Sequence, residues 1–165
     1  MICVNSKDLS YWYEIAKPIL DHPEYQKRKK YMHHGDTSVY THSVGVSLRA
    51  FQIGKKFNLD LKSLIIAGLL HDFYKTPWQD VEEHLPLFKR HGFTHAKDAL
   101  LNSRIYFSEY LNPTIENSIL RHMFPLNKIP PKTKEGFVLT IADKLESLDL
   151  LLSKKSLLLS LGVRI

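Results

Sequence analysis

The stretch "LIIAGLLHDFYK", residues 64–75, joins seven apolar or small residues to a histidine and an aspartate. Such a run predicts a central helix from residue 61 to about residue 73, buried on nearly every side and ended by Pro77. A buried imidazole or carboxylate without a partner costs several kcal/mol. His71 and Asp72 must therefore be neutralised by an ion pair, by hydrogen bonds or by a metal ion.

Helical periodicity recurs along the rest of the chain. It predicts helices over residues 40–57, from Thr94 to about residue 103, from Pro113 to residue 122, and from about residue 135 onward. Asp8 or Ser10 could cap a further helix that contains "YWYEIA". The last helix is predicted to carry one apolar stripe: Phe137, Val138, Ile141, Leu145 and Leu148.

Strand patterns bounded by tight turns are nearly absent, so the pattern predicts an all-α fold, a compact multi-helix bundle. With 165 residues the chain fits a single domain. We expect a core over about 32–150, N-terminal helices over 8–31 and a helical tail over 151–165. This leucine-rich tail is expected to pack on the core, with self-association into a homodimer as the second possibility.

Cysteine and hydropathy patterns exclude several classes of protein. The single cysteine, Cys3, excludes an intrachain disulfide framework and any CxxC metal or redox site. Neither a signal peptide nor an apolar run of the roughly 20 residues that cross a membrane is visible. We therefore expect a soluble, cytoplasmic protein with no membrane partner.

The net charge of +6 favours anionic partners such as nucleotides, nucleic acid or phosphorylated metabolites. The densest basic run is "QKRKK", residues 26–30, flanked by Tyr25 and Tyr31. It is read first as a solvated helix face, with a binding patch as the alternative. Nucleic acid is thus possible but not favoured.

Four more potential ligands lie on or beside apolar periodic segments, namely His42, His95, His122 and Asp143. One histidine on such a face is usually an ordinary core residue, but five segments that each deliver a ligand are hard to explain by coincidence. Imidazole and carboxylate groups without thiolates suit Fe, Mn, Zn, Co or Ni ions. The sequence therefore predicts a catalytic metal site, in which His91 competes with the preferred His95.

The order His42, His71–Asp72, Asp143, within "LLHDFYK" and "IADK", resembles the HD-domain metal-dependent phosphohydrolase superfamily over residues 32–150. Small stand-alone bacterial HD hydrolases are the nearest comparison. His95 and His122 resemble the extra histidines of the subset with two metal ions. The resemblance implies an all-helical core and one or two divalent ions.

The resemblance also implies a mechanism. Asp72 would bridge ions about 3.5–4 Å apart, and a metal-activated hydroxide would attack phosphorus. Lys75 matches the family's HDxxK pattern and would bind a substrate phosphate; if the helix continued that far, Lys75 would share a flank with Asp72. His33, His34 and Arg121 are further candidates for substrate binding.

The implied activity is hydrolysis of a phosphomonoester, a phosphodiester or a dinucleoside polyphosphate. The expected substrate is a nucleotide or a related small phosphorylated metabolite. The alternative is a non-catalytic HD module that binds nucleotide or nucleic acid through its basic surface.

Overall fold

Seven α-helices form most of the described chain, which comprises residues 6–34, 37–75 and 91–160 of a computed structural model. They are α1 (Ser6–Leu20), α2 (Pro23–Gln26), α3 (Val39–Lys56), α4 (Leu61–Leu70), α5 (His91–Tyr106), α6 (Pro113–Arg121) and α7 (Lys134–Ser160). Two 3-10 helices, Lys27–Lys30 and Ser108–Tyr110, and an antiparallel hairpin of β1 (Met32–His34) and β2 (Thr37–Ser38) complete it. The predicted all-α single domain is confirmed. The hairpin was not predicted, because its strands are too short to show an alternating pattern.

Helix α4 is the centre of the bundle. Every residue from Ser63 to Leu70 is buried, and α4 packs against α1, α3, α5, α6 and α7. The carboxylate of Asp60 starts the helix by accepting the backbone N–H of Ser63 at 3.1 Å. A helix that is apolar on all sides can only be stable in such a position.

The end of α4 lies earlier than the sequence predicted. The helix stops at Leu70, and the backbone N–H of Phe73 donates to the Leu70 carbonyl at 3.1 Å in a tighter turn. His71 and Asp72 therefore follow the helix instead of lying within it. Pro77, which was expected to end α4, is outside the described residues.

Helices α3 and α4 approach each other closely at Gly68. A Cβ atom at Gly68 would lie 2.5 Å from the Cα of Ser47. Buried hydrogen bonds fix the same region, since Ser47 Oγ donates to the Ile65 carbonyl at 2.9 Å and Trp12 Nε1 donates to Ser47 Oγ at 2.9 Å. These contacts tie α1, α3 and α4 together and set the position of the end of α4.

The predicted bounds of α3 and α6 agree with the structure within a residue, and polar caps explain both starts. Ser38 Oγ accepts the backbone N–H of Thr41 at 3.2 Å before α3. Asn112 Oδ1 accepts the backbone N–H of Ile115 at 2.9 Å before α6, where Pro113 is the first residue.

Two predicted caps are wrong. Helix α5 begins at His91, so Thr94 lies inside it. Helix α1 begins at Ser6, so Asp8 and Ser10 lie within its first turns. Asp8 instead forms an ion pair with Lys55 on α3 at 2.5 Å. Its carboxylate therefore binds a side chain of another helix and does not cap α1.

The predicted core stripe of α7 is also wrong for four of its five residues. Phe137, Ile141, Leu145 and Leu148 are 43%, 50%, 38% and 49% exposed, whereas the buried hydrophobic residues in the described part of α7 are Val138, Leu139 and Ala142. Helix α7 has apolar residues on two sides, and the side that also carries Asp143 faces the core. Side chains after Asp149 are outside the description, so packing or self-association of the tail stays a prediction, as do the boundaries at 8–31, 32–150 and 151–165.

The basic run 26–30 is partly internal. Arg28 is buried, with its guanidinium carbon 4.3 Å from the Phe73 ring centroid and 4.8 Å from that of Tyr31. Tyr25 is buried too, and its hydroxyl donates to the Leu69 carbonyl at 2.9 Å. Exposed charge in this run comes from Lys27, Lys29 and Lys30.

Within the described ranges, no helix has the length and apolar character needed to span a membrane.

Candidate metal centre

Six polar side chains meet at one end of the helical bundle: His42, His71, Asp72, His95, His122 and Asp143. His42 lies near the start of α3, His71 and Asp72 follow the end of α4, His95 lies near the start of α5, His122 follows the end of α6, and Asp143 lies on α7. Along the chain, cluster residues near the start of one helix alternate with cluster residues near the end of the next. This alternation is required when antiparallel helices bring side chains to the same end of a bundle.

Asp72 is common to both halves of this cluster. Its Oδ2 lies 3.6 Å from His71 Nε2, and its Oδ1 lies 3.4 Å from His95 Nε2 and 3.7 Å from His122 Nε2. His42, His71 and Asp72 form one group that could hold a metal ion, and Asp72, His95 and His122 form a second. A carboxylate shared by two groups has the arrangement that a bridging ligand requires.

His71 and His122 are fixed in the same way. Each directly follows the last residue of its helix, and the Nδ1 of each bonds a carbonyl three residues earlier, Gly68 at 2.8 Å and Ile119 at 2.7 Å. A carbonyl only accepts, so Nδ1 carries the hydrogen in both rings. The lone pair of the neutral ring is therefore on Nε2, which points into the cluster, as in histidines that bind metals.

Asp143 joins the first half of the cluster from α7. Its Oδ1 accepts a hydrogen bond from His42 Nε2 at 3.1 Å and lies 3.7 Å from His71 Nε2. Burial alone would raise the pKa of Asp143, but the hydrogen bond from His42 and the nearby ring of His71 hold it well below its usual range. Asp143 is therefore a carboxylate in the folded protein.

The pKa values of His71 and His122 are shifted in opposite directions. Burial would lower the pKa of His71, but the carboxylates of Asp72 and Asp143 outweigh burial and raise the pKa to about 9. Burial and the neighbouring His71 and His95 lower the pKa of His122 to about 3, so its ring is neutral. The centre thus attracts positive charge to the position between its two carboxylates.

The turn after α4 is held by contacts that do not involve the six side chains. Asn102 Nδ2 on α5 donates to the Phe73 carbonyl at 2.9 Å, and the Tyr31 hydroxyl donates to the Lys75 carbonyl at 2.9 Å. The guanidinium of Arg28 covers the Phe73 ring. Non-helical backbone needs such partners for its polar groups, and here they also fix the direction of Asp72.

The donor set fits a divalent metal ion. Nε2 of His71 is buried and makes no hydrogen bond within the described part of the chain, which is the condition expected of a nitrogen that awaits a metal. Neutral imidazole nitrogens and carboxylate oxygens suit Mn, Fe, Co, Ni or Zn ions. The cluster could therefore hold one or more such ions.

Not every predicted residue lies in the cluster. Lys75 is exposed, and because α4 ends at Leu70 the expected shared helical flank with Asp72 does not exist. Arg121 is half-buried on α6, outside the cluster. His33 and His34 belong to β1, and the side chains of these two residues and of His91 are outside the description. His95 lies in the cluster, and the preference for His95 over His91 stays a prediction because the His91 side chain is not described.

Sequence reasoning missed the backbone acceptors of Gly68 and Ile119. A signal was present, since in "GLLH" and "ILRH" the histidine follows the acceptor by three residues at a helix end. Side chains near the last turn can bond its free carbonyls, so this spacing could have indicated the tautomer.

The comparisons with known proteins agree with this arrangement. The family model described as HD domain matches residues 39–148, which is two thirds of the chain and includes all six side chains. The chain significantly matches no curated protein and no solved structure. Since the matched range covers the bundle and its polar cluster, this chain belongs to the HD-domain family.

Proposed function

We propose that this protein is a metal-dependent phosphohydrolase that cleaves a phosphoester or phosphoanhydride bond in a nucleotide or a related small phosphorylated metabolite. The observation that carries the proposal is the position of Asp72 between two groups of histidines. Proteins of the HD-domain family are typically metal-dependent phosphohydrolases, which supports the same activity.

In this proposal the six side chains hold two divalent ions. His42, His71, Asp72 and Asp143 would hold one ion, and Asp72, His95 and His122 would hold the other. When bound, such ions make water a better nucleophile near neutral pH and offset negative charge on the phosphoryl oxygens.

The chain's own residues control access and orientation. Five of the six side chains are at most 7% exposed, whereas that of Asp143 is 13% exposed, so a substrate would approach on the Asp143 side. The Gly68 and Ile119 carbonyls keep His71 and His122 in the tautomer that binds cations. Lys75, His33 and His34 remain predicted contacts for the substrate phosphate.

The alternative, a non-catalytic module that binds nucleic acid, has weaker support. Tyr25, one of the two flanking tyrosines on which the binding-patch alternative rested, takes part in internal packing, and so does Arg28 within the run. The exposed lysines of the basic run 26–30 are also expected on any solvated helix face.

The test is a hydrolysis screen of metal-free protein reloaded with Mn, Fe(II), Co, Ni or Zn. Substrates would be phosphomonoesters, phosphodiesters and dinucleoside polyphosphates. We expect turnover only with metal, and a loss of about 100-fold or more in Asp72→Ala, since even partners of metal ligands are worth 10–100-fold. Glu14→Ala, an exposed acid on α1, is the control and should keep full activity. Wild-type protein that neither binds metal nor hydrolyses any substrate would support the binding module instead.

A further inference from the structure

A second polar pocket lies beside the metal centre. It has a cavity volume of about 380 Å³ and is formed by α5, α6 and the turns after α6. Its polar lining consists of Lys97, Arg121, Asn127 and Lys128, and the rest is apolar. This volume lies within the roughly 300–1,000 Å³ of ligand pockets.

Among the described residues, the positive charge of this pocket has no counter-charge. Its three cationic side chains have no carboxylate among the lining residues, and none of the three makes an ion pair within residues 6–34, 37–75 and 91–160. Neighbouring like charges repel, so their grouping costs free energy unless an anion is bound.

Arg121 gives a more specific indication. Its Nε is buried and has no hydrogen-bond partner in the part of the chain that the structure describes. A buried donor without a partner is unfavourable, because it has lost its hydrogen bonds to water. The planar guanidinium matches two phosphate oxygens at once, and a phosphate would also accept from Lys97 and Lys128.

Two helices, α5 and α6, contribute residues to both the pocket and the metal centre. Ala96, in the pocket, directly follows His95 on α5, and Arg121 directly precedes His122 on α6. The Nε2 atoms of His95 and His122 lie 3.0 Å apart. Adjacent residues of a helix diverge by about 100°, so the pocket lies beside the metal centre and not over it.

We propose that this pocket is a second phosphate subsite, which binds a phosphate of the substrate other than the one that is hydrolysed. The substrate class is then a small molecule with two or more phosphates, such as a nucleoside polyphosphate. This inference rests on the proposed phosphohydrolase function and narrows its substrate. It also gives Arg121 a role in binding a remote phosphate.

The first test measures binding without catalysis. Metal-free protein is titrated with inorganic tripolyphosphate and with orthophosphate by calorimetry. The test variant is Lys97→Gln/Lys128→Gln, because both lysines are exposed and their replacement should not affect folding. Lys56→Gln, an exposed lysine at the end of α3, is the matched control. We expect tripolyphosphate to bind roughly 10-fold more weakly for each pocket lysine removed, and the control to bind like wild type.

The second test links the pocket to turnover. Metal-loaded protein is assayed with an aryl monophosphate and with a nucleoside triphosphate. We expect the double variant to raise KM for the triphosphate by about 10-fold or more and to leave the monophosphate unchanged.

Two different failures can be distinguished. Equal tripolyphosphate binding by wild type and the double variant, or equal effects on both substrates, would overturn the subsite while the hydrolase stands. Turnover of neither substrate by wild type would remove the proposed function, and the subsite's role with it, even if tripolyphosphate binds.

Discussion

Asp72 offers one carboxylate oxygen to each half of the metal centre. Oδ2 lies nearer His71, and Oδ1 lies nearer His95 and His122. The geometry therefore distinguishes residues that serve one group from the residue that serves both.

This difference predicts the metal content of single variants. His42→Gln and His122→Gln should each retain one of two bound ions, because each histidine belongs to only one of the two groups. Asp72→Ala should retain none. The ratio of metal to protein, measured by mass spectrometry after gel filtration, checks this. Loss of all metal in both glutamine variants would mean that one ion is shared by the whole cluster.

At the scale of elements, the contact between α3 and α4 decides where His71 and Asp72 lie. Alanine has the higher helix propensity, by about 1 kcal/mol, so an ordinary helical Gly→Ala change is favourable. At Gly68 the new Cβ would lie 2.5 Å from the Ser47 Cα and 2.9 Å from its backbone nitrogen. Two backbones would have to separate to accept it.

Gly68→Ala should therefore destabilise the protein by about 1–3 kcal/mol despite the better propensity. It should also weaken metal binding, because the Gly68 carbonyl orients His71. Urea unfolding and a metal titration measure the two effects.

The matched control is Gly45→Ala on α3. There the new Cβ would meet the Oε1 of Glu146 at 2.2 Å, which is the end of a flexible side chain. Moving Glu146 would weaken its ion pair with Arg49. This should lower the free energy of unfolding by about 1 kcal/mol at most. We expect nearly unchanged stability and unchanged metal binding. A Gly68→Ala protein as stable as this control would contradict the role given to the close approach.

The elements also show what the sequence could predict. The uniform apolar character of α4 predicted its central position, because only one environment suits such a helix. The end of α4 could not be read, since it depends on the His71 side chain bonding back to Gly68 and on the turn that follows. For α7, periodicity found an apolar stripe, but periodicity cannot choose between two apolar sides when tertiary packing selects the one with Asp143.

At the scale of the whole molecule, the cluster joins segments that are distant in sequence. His42 and Asp143 are 101 positions apart and are in direct contact. A ligand that binds only when these segments are together binds the folded state alone. It must shift the folding equilibrium by mass action.

We therefore expect Mn, Co or Zn to raise the free energy of unfolding by about 2.7 kcal/mol at a metal concentration 100 times Kd. Thermal unfolding with added metal and with a chelator measures the effect. Asp72→Ala should show no metal-dependent shift in Tm. An equal shift in that variant would show that the metal acts at another place on the protein.

The six residues of the cluster were predictable at this scale, although their separation in sequence hides the cluster from any local pattern. Each one interrupts an apolar segment, and burial demands a partner for it. Lys97 and Lys128 were not found, because nothing in their local sequence distinguishes them from solvated lysines. Only the packing of α5 against α6 and its following turns makes them neighbours of Arg121.

The bonds from His71 and His122 to main-chain carbonyls have a consequence for how the site can change over generations. In many metal sites an acidic side chain performs this task, and one codon change removes it. Here the acceptor is the peptide group itself, which every amino acid supplies. The ring nitrogen that carries the proton is therefore set by the helix ends themselves. A substitution at residue 68 or 119 can change it only by moving the backbone.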